Sequence, residues 1–105
     1  MIRERMHFTV RTTKDWDEAL QLVEEFNKIH AAAGRAQARA WTQMTGPFNE
    51  IILETDFPDL ASYEREYKAA MSDPEMLKHM PRVEEITIAD KGYNELFETA
   101  EQVGF

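Results

Sequence analysis

A chain of 105 residues with 12 Lys and Arg against 20 Asp and Glu carries a formal charge of −8. That balance leaves no basic stripe, which excludes nucleic acid and anionic membrane surfaces as expected partners. Cysteine is absent, so disulfides, thiolate nucleophiles and Cys-ligated metals are excluded as well. With 43% hydrophobic residues, residues 1–105 read as a single domain with a thin core. A domain this small buries only roughly 60–70% of its unfolded surface, so a second subunit would add useful burial. The start, Met1 to His7, lacks the apolar centre of a signal peptide, and no apolar run approaches the roughly 20 residues of a membrane span. The expected location is cytoplasmic, without a membrane.

Met6 to Thr12 alternates with period two and reads as a first strand, with Met6, Phe8 and Val10 on one face and His7, Thr9 and Arg11 on the other. Lys14-Asp15 opens a helix, with Asp15 and Glu18 spaced as a capping box. Trp16, Ala19, Leu20, Val23, Phe26 and His30 form its apolar stripe, and Gly34 is the stop. Arg35 to Thr45 is expected as the second strand, with Ala36, Ala38, Ala40, Thr42 and Met44 in one row. Gly46-Pro47-Phe48-Asn49 is a turn leading into a third strand, Glu50 to Asp56.

Pro58 suits the first turn of a second helix, whose inner stripe is Leu60, Tyr63, Tyr67, Ala70 and Met71. Asp73 and Pro74 restart a short helix as N-cap and first residue, and Pro81 is expected to end it. Val83 to Ala89 reads as the fourth strand, and Lys91-Gly92 as a turn. Tyr93, Leu96, Phe97, Ala100 and Val103 have helical spacing, while Asn94 to Phe97 equally fits an extension of the sheet. The order β-α-β-β-α-β is the ferredoxin-like pattern, an α+β fold with a four-stranded antiparallel sheet. Apolar groups fall on both faces of that sheet, Met6, Phe8 and Val10 on one and Ile52, Ile86 and Ile88 in the rows of Glu50, Glu54 and Glu84. A homodimer is the simplest second cover.

Gly46-Pro47-Phe48-Asn49-Glu50 before the third strand, Asp59-Leu60-Ala61-Ser62-Tyr63-Glu64 opening the second helix, and the Asp73-Pro74-Glu75 restart resemble the dimeric α/β-barrel superfamily. Within it, the chain looks like the NIPSNAP-like group and the antibiotic-biosynthesis monooxygenases. The resemblance covers about residues 6 to 90. It implies a dimeric α/β barrel and a pocket between each sheet and its own helices. It carries no reaction, because members differ in chemistry.

Cofactor-free oxygenation in such a barrel needs an apolar pocket with a few groups that deprotonate and hold a phenolic substrate. The candidates are Tyr67 and His79 as catalytic groups, and His7, Trp41, Asn49 and Tyr63 as substrate-binding groups. The structural alternatives are that Tyr63 and Tyr67 are core, that Trp41 fills the barrel, and that Asn49 serves the turn. Haem-degrading relatives use a histidine on the second helix and an Asn in strand one. Position 7 is His, and no Asn lies in strand one, so that site is not reproduced. His7, His30 and His79 lie on separate elements, with no spacing that places two ligands on one turn. No metal or other cofactor is expected. Arg11, Arg39, Glu50 and Glu54 read as cross-strand ion pairs or as an anion clamp. Two functions follow: an enzyme of the cofactor-independent monooxygenase kind acting on a small hydrophobic or aromatic molecule, or a non-enzymatic barrel that binds a ligand or serves assembly.

Overall fold

The computed structural model describes residues 1–100. A four-stranded antiparallel sheet has the order β2-β3-β1-β4, built from β1 (Ile2–Thr9), β2 (Arg39–Thr42), β3 (Glu50–Phe57) and β4 (Tyr93–Glu98). Four helices cover one face: α1 (Trp16–Ala32), α2 (Leu60–Met71), α3 (Pro74–Leu77) and α4 (Met80–Ile86). The ferredoxin-like α+β architecture is therefore present.

β1 begins at Ile2, four residues before the alternation of clean apolar residues. Ile2 pairs with Phe57 and Glu98, and the register then runs along both neighbours. Glu4 interrupts the pattern, because it occupies the inward row between Ile2 and Met6. The outward row holds Arg3, Arg5 and His7.

The second strand is shorter than the expected Arg35 to Thr45. Ahead of it, the chain is held by helix side chains instead of β3. The Asn27 amide donates to the Ala38 carbonyl at 2.9 Å and accepts from its N–H at 2.9 Å. The Ala36 N–H donates to Glu66 at 2.6 Å. Alanine is a weak strand former, and these side chains offer the backbone a complete alternative.

The Asp15 carboxylate does not cap α1. It accepts from the Thr12 hydroxyl at 2.9 Å instead, so the capping box is not made. Gly34 ends the helix at φ 72°, where an L side chain would be strained. Asp59 caps α2 by accepting from Ser62 N–H at 2.7 Å, which places Pro58 just outside the helix. Asp73 caps α3 as expected, accepting from Glu75 N–H at 2.9 Å. Leu60 is 51% exposed, and the inward stripe of α2 starts at Tyr63.

The fourth strand is not Val83 to Ala89. Pro81 lies in the first turn of α4, where its missing N–H costs nothing, and Val83 to Ile86 continue as helix. Met80, Val83 and Ile86 recur three apart and point at the sheet. Glu84 and Glu85 stand side by side, which a period-two strand could not bury. Arg82 links the helix to α1 through Glu18 at 2.6 Å and braces it through Glu85 at 2.8 Å. The chain then returns through Val10, bridged to Thr87, and forms β4 along β1. Tyr93, Leu96 and Phe97 are therefore strand residues; Val103 lies outside the described residues.

The faces of the sheet also differ from expectation. Met6, Phe8 and Val10 face the helices, as do Ile51, Leu53, Thr55 and Phe57. Ile86 belongs to α4 and to the core with Val10, Ala19 and Ile51. The uncovered face is largely charged, with Ile52, Trp41, Tyr93 and Phe97 as its apolar members. The described residues span 47 × 35 × 21 Å with a radius of gyration of 14.5 Å, above the roughly 13 Å of a compact domain of this length. Among the described residues, no helix is long and apolar enough to cross a membrane.

Candidate functional site

Between the sheet and the helical layer lies a partly open cavity of about 230 Å³. Its floor is Met6, Phe8, Ile51, Leu53 and Phe57, and its roof is Val23, Phe26, Ala70, Met76 and Met80. Apolar inward rows and small residues, Ala36, Ala38 and Ala70, leave the space open. Two clusters of titratable side chains reach it, beside the neutral Asn27, Thr55 and Thr87.

The first is Glu4 with Tyr63. Glu4 is 7% exposed, and its carboxylate accepts from the Tyr63 hydroxyl at 3.1 Å. Burial raises the Glu4 pKa above the usual carboxylate value, and the Tyr63 hydrogen bond only partly opposes it. The Tyr63 hydroxyl is pushed up to about 12, first by burial and then by the adjacent carboxylate, so it remains a proton donor. The Tyr63 ring meets Phe57 edge-on at 5.3 Å and lies 6.1 Å from the Tyr67 ring. Both tyrosines line the cavity, and Tyr67 is half exposed at its rim.

The second is His30 with Arg35 and Glu66. The Arg35 guanidinium donates to His30 Nδ1 at 3.0 Å and to Asp73 at 2.9 Å. Burial, and then the Arg35 charge, lower the His30 pKa, which keeps the ring neutral and able to accept that bond at pH 7. This group ties α1, the following loop and the start of α3 together.

The other sequence candidates lie elsewhere. His79 precedes α4 and packs edge-on against Phe26 at 5.8 Å; Phe26 stands between it and the cavity. Asn49 donates its side-chain amide to the Val10 carbonyl and accepts Val10 N–H through its own carbonyl at 2.9 Å, which pins the hairpin to β1. His7 and Trp41 are on the uncovered face. His7 stacks on Tyr93 at 4.0 Å, with Nδ1 3.3 Å from Glu50 and Nε2 2.5 Å from Glu95. Trp41 is exposed opposite Ile52. Thus Tyr63 and Tyr67 come together, and the remaining four do not join them.

Arg39 and Glu54 do pair, at 2.6 Å, joined by Arg5 at 2.9 Å, while Arg3 holds Asp56 at 2.7 Å. Arg11 leaves this set and donates to the carbonyls of Glu85 and Thr87. Among the described residues, every guanidinium on the face already has a carboxylate, which leaves no open anion clamp. Among the described residues, no group of three His, Asp or Glu side chains could hold a metal ion.

Glu4 lies ahead of the Met6 to Thr12 alternation, in the part of β1 that this periodicity does not mark. The signal was available: Arg3, Arg5 and His7 alternate, which puts Glu4 in the row of Met6 and Phe8. A carboxylate in a core row breaks the local rule, and such breaks mark functional or strained positions.

No family model matches the chain, and no curated protein matches it. Solved structures do. A NIPSNAP family protein with unknown function from Agrobacterium tumefaciens is similar at 22% identity over 95% of this chain and 88% of that one, with a TM-score of 0.77. An uncharacterized NIPSNAP domain protein from Burkholderia xenovorans is similar at 18% identity, covering 95% of each chain, with a TM-score of 0.76. A putative antibiotic biosynthesis monooxygenase from Deinococcus radiodurans is similar at 7% identity over 95% and 93%, with a TM-score of 0.71. At these identities the likeness establishes the shared ferredoxin-like fold.

Proposed function

We propose that this protein binds a small, mainly apolar molecule in the cavity between its sheet and its helices. Glu4, oriented by Tyr63, handles the exchangeable proton of that molecule. The observation that carries the reading is a buried carboxylate with a neutral partner in a mainly apolar space. Core positions are not spent on such a group for stability, because an isolated buried charge is costly. Tyr67 contacts the ligand from the rim, and the proton-transfer role expected of His79 belongs to Glu4. A raised carboxylate pKa suits that role.

The finer reading is cofactor-independent oxygenation of a phenol or quinol. It is supported by the apolar cavity with its carboxylate, and by the description of one similar structure. The alternative is a non-enzymatic binding module. Thermal-shift measurements with small phenols and quinols should raise the melting temperature, and oxygen uptake separates the two readings. If no compound shifts the melting temperature, the phenol and quinol reading is wrong.

The same proposal includes a homodimer through the uncovered sheet face. Supporting it are the exposed Trp41, Tyr93 and Phe97, and Met44 and Phe48 in the β2–β3 loop, which are 99% and 89% exposed. Light scattering should give twice 12.3 kDa. A monomer at micromolar concentration would refute the dimer.

A further inference from the structure

We infer that the ligand is an organic ammonium, a small apolar amine whose charged nitrogen sits against Glu4 beside the rings of Phe57, Tyr63 and Tyr67. This rests on the reading that the cavity binds a small molecule and not on the oxygenation reading, whose phenols and quinols carry no charged nitrogen.

Glu4 has no counter-ion among the described residues. Among the described residues its carboxylate has one hydrogen-bond partner, the neutral Tyr63 hydroxyl. Arg3 and Arg5, its neighbours in sequence, point to the opposite face and hold Asp56 and Glu54. Arg35 is the cation on the cavity lining, and it is committed to Asp73 and to a neutral His30. Glu66 adds a second carboxylate to the lining. The cavity is therefore short of positive charge.

A carboxylate ligand would meet Glu4 and Glu66 with the same sign. A neutral alcohol would gain one hydrogen bond and leave the charge unbalanced. An ammonium supplies both a donor and the missing charge. It also gains from the three rings, since a desolvated cation is drawn to an aromatic face. The raised Glu4 pKa is the cost that such a cation removes. Size agrees. At roughly 30 Å³ per water, the volume of about 230 Å³ holds on the order of eight waters. A single ring with a short side chain fills that space.

The test uses phenethylamine, 2-phenylethanol and phenylacetate, which share a shape and differ in head-group charge. Calorimetry on the intact protein at pH 7 should show the amine binding roughly tenfold or more tightly than the alcohol, and phenylacetate weakest. Glu4→Gln should abolish the amine's advantage over the alcohol. As a second readout on the wild type, carboxyl-carbon NMR should show the Glu4 pKa falling when the amine binds and not when the alcohol binds. Equal or tighter binding of the alcohol overturns the ammonium assignment and leaves the binding reading standing. An amine preference that survives Glu4→Gln, or a Glu4 pKa that does not move, also overturns it. Binding of none of the three overturns both.

Discussion

Replacing Glu54 with Gln removes a negative charge from beneath three guanidinium groups and keeps the shape of the side chain. Glu54 lies opposite Arg5 on β1 and Arg39 on β2, and its carboxylate is 6% exposed. It accepts from Arg5 at 2.9 Å and from Arg39 at 2.6 Å, with Arg3 at 3.7 Å. A hydrogen bond to a charged group contributes about 1.5–3 kcal/mol. Two would give about twice that, but the arginines keep 40% and 59% of their side-chain exposure and can rehydrate. Gln also retains one acceptor. The expected loss is about 1–3 kcal/mol in urea unfolding at pH 7. Burial by itself would raise the Glu54 pKa, but the bonds from Arg5 and Arg39 outweigh it and leave the value lowered. A lowered carboxylate pKa contributes stability above its unfolded value, and that contribution is lost as pH falls through the folded value. The gap between wild type and Glu54→Gln should therefore be full at pH 7 and shrink below the ordinary value of 4.5. Both proteins must be compared at one concentration, because any dimer makes stability concentration-dependent. A gap below about 0.5 kcal/mol, or one that does not change with pH, would refute the account of the network.

Glu4 has the opposite sign. Its raised pKa means stability falls as pH rises through the carboxylate range, so Glu4→Gln should gain stability at pH 7 and lose that gain near pH 4 in paired urea melts. Asp59→Ala removes the cap of α2 and should cost about 0.5–2 kcal/mol; an unchanged melt would mean the Ser62 N–H finds another partner. Ile86→Ala should cost about 2–5 kcal/mol, because Ile86 is 2% exposed on α4. Leu60→Ala should cost about 0.5 kcal/mol or less, because Leu60 is half exposed. Equal losses at these two positions would contradict the helical placement of Val83 to Ile86 and the phase of α2.

Where one short window contains its own answer, the sequence suffices. The Trp16 to His30 stripe, the positive φ at Gly34, the Asp73-Pro74 restart and the alternation of β3 each depend on neighbours within a few residues, and each is found in the fold. The β-α-β-β-α part of the order follows from the same local periodicities, as does the placing of Tyr63 and Tyr67 on one helix face. The tertiary structure decided the rest. Ile86 is spaced for a strand with Ile88 and for a helix with Val83, and packing against Val10 and Ile51 selects the helix. Tyr93 to Glu98 becomes β4 because β1 offers an unpaired edge after β3 has taken the other. Asn27 and Glu66 take the backbone bonds that a longer β2 would have made, a contest no local propensity can register. Glu4 gains its meaning in the same way. Its charge is ordinary on an exposed strand, and it becomes a candidate site only because register turns it inward, sends Arg3 and Arg5 to the other face, and closes an apolar space over it. Periodicity is local and survives in the sequence, whereas burial and charge balance are sums over distant residues that exist only once the chain has folded.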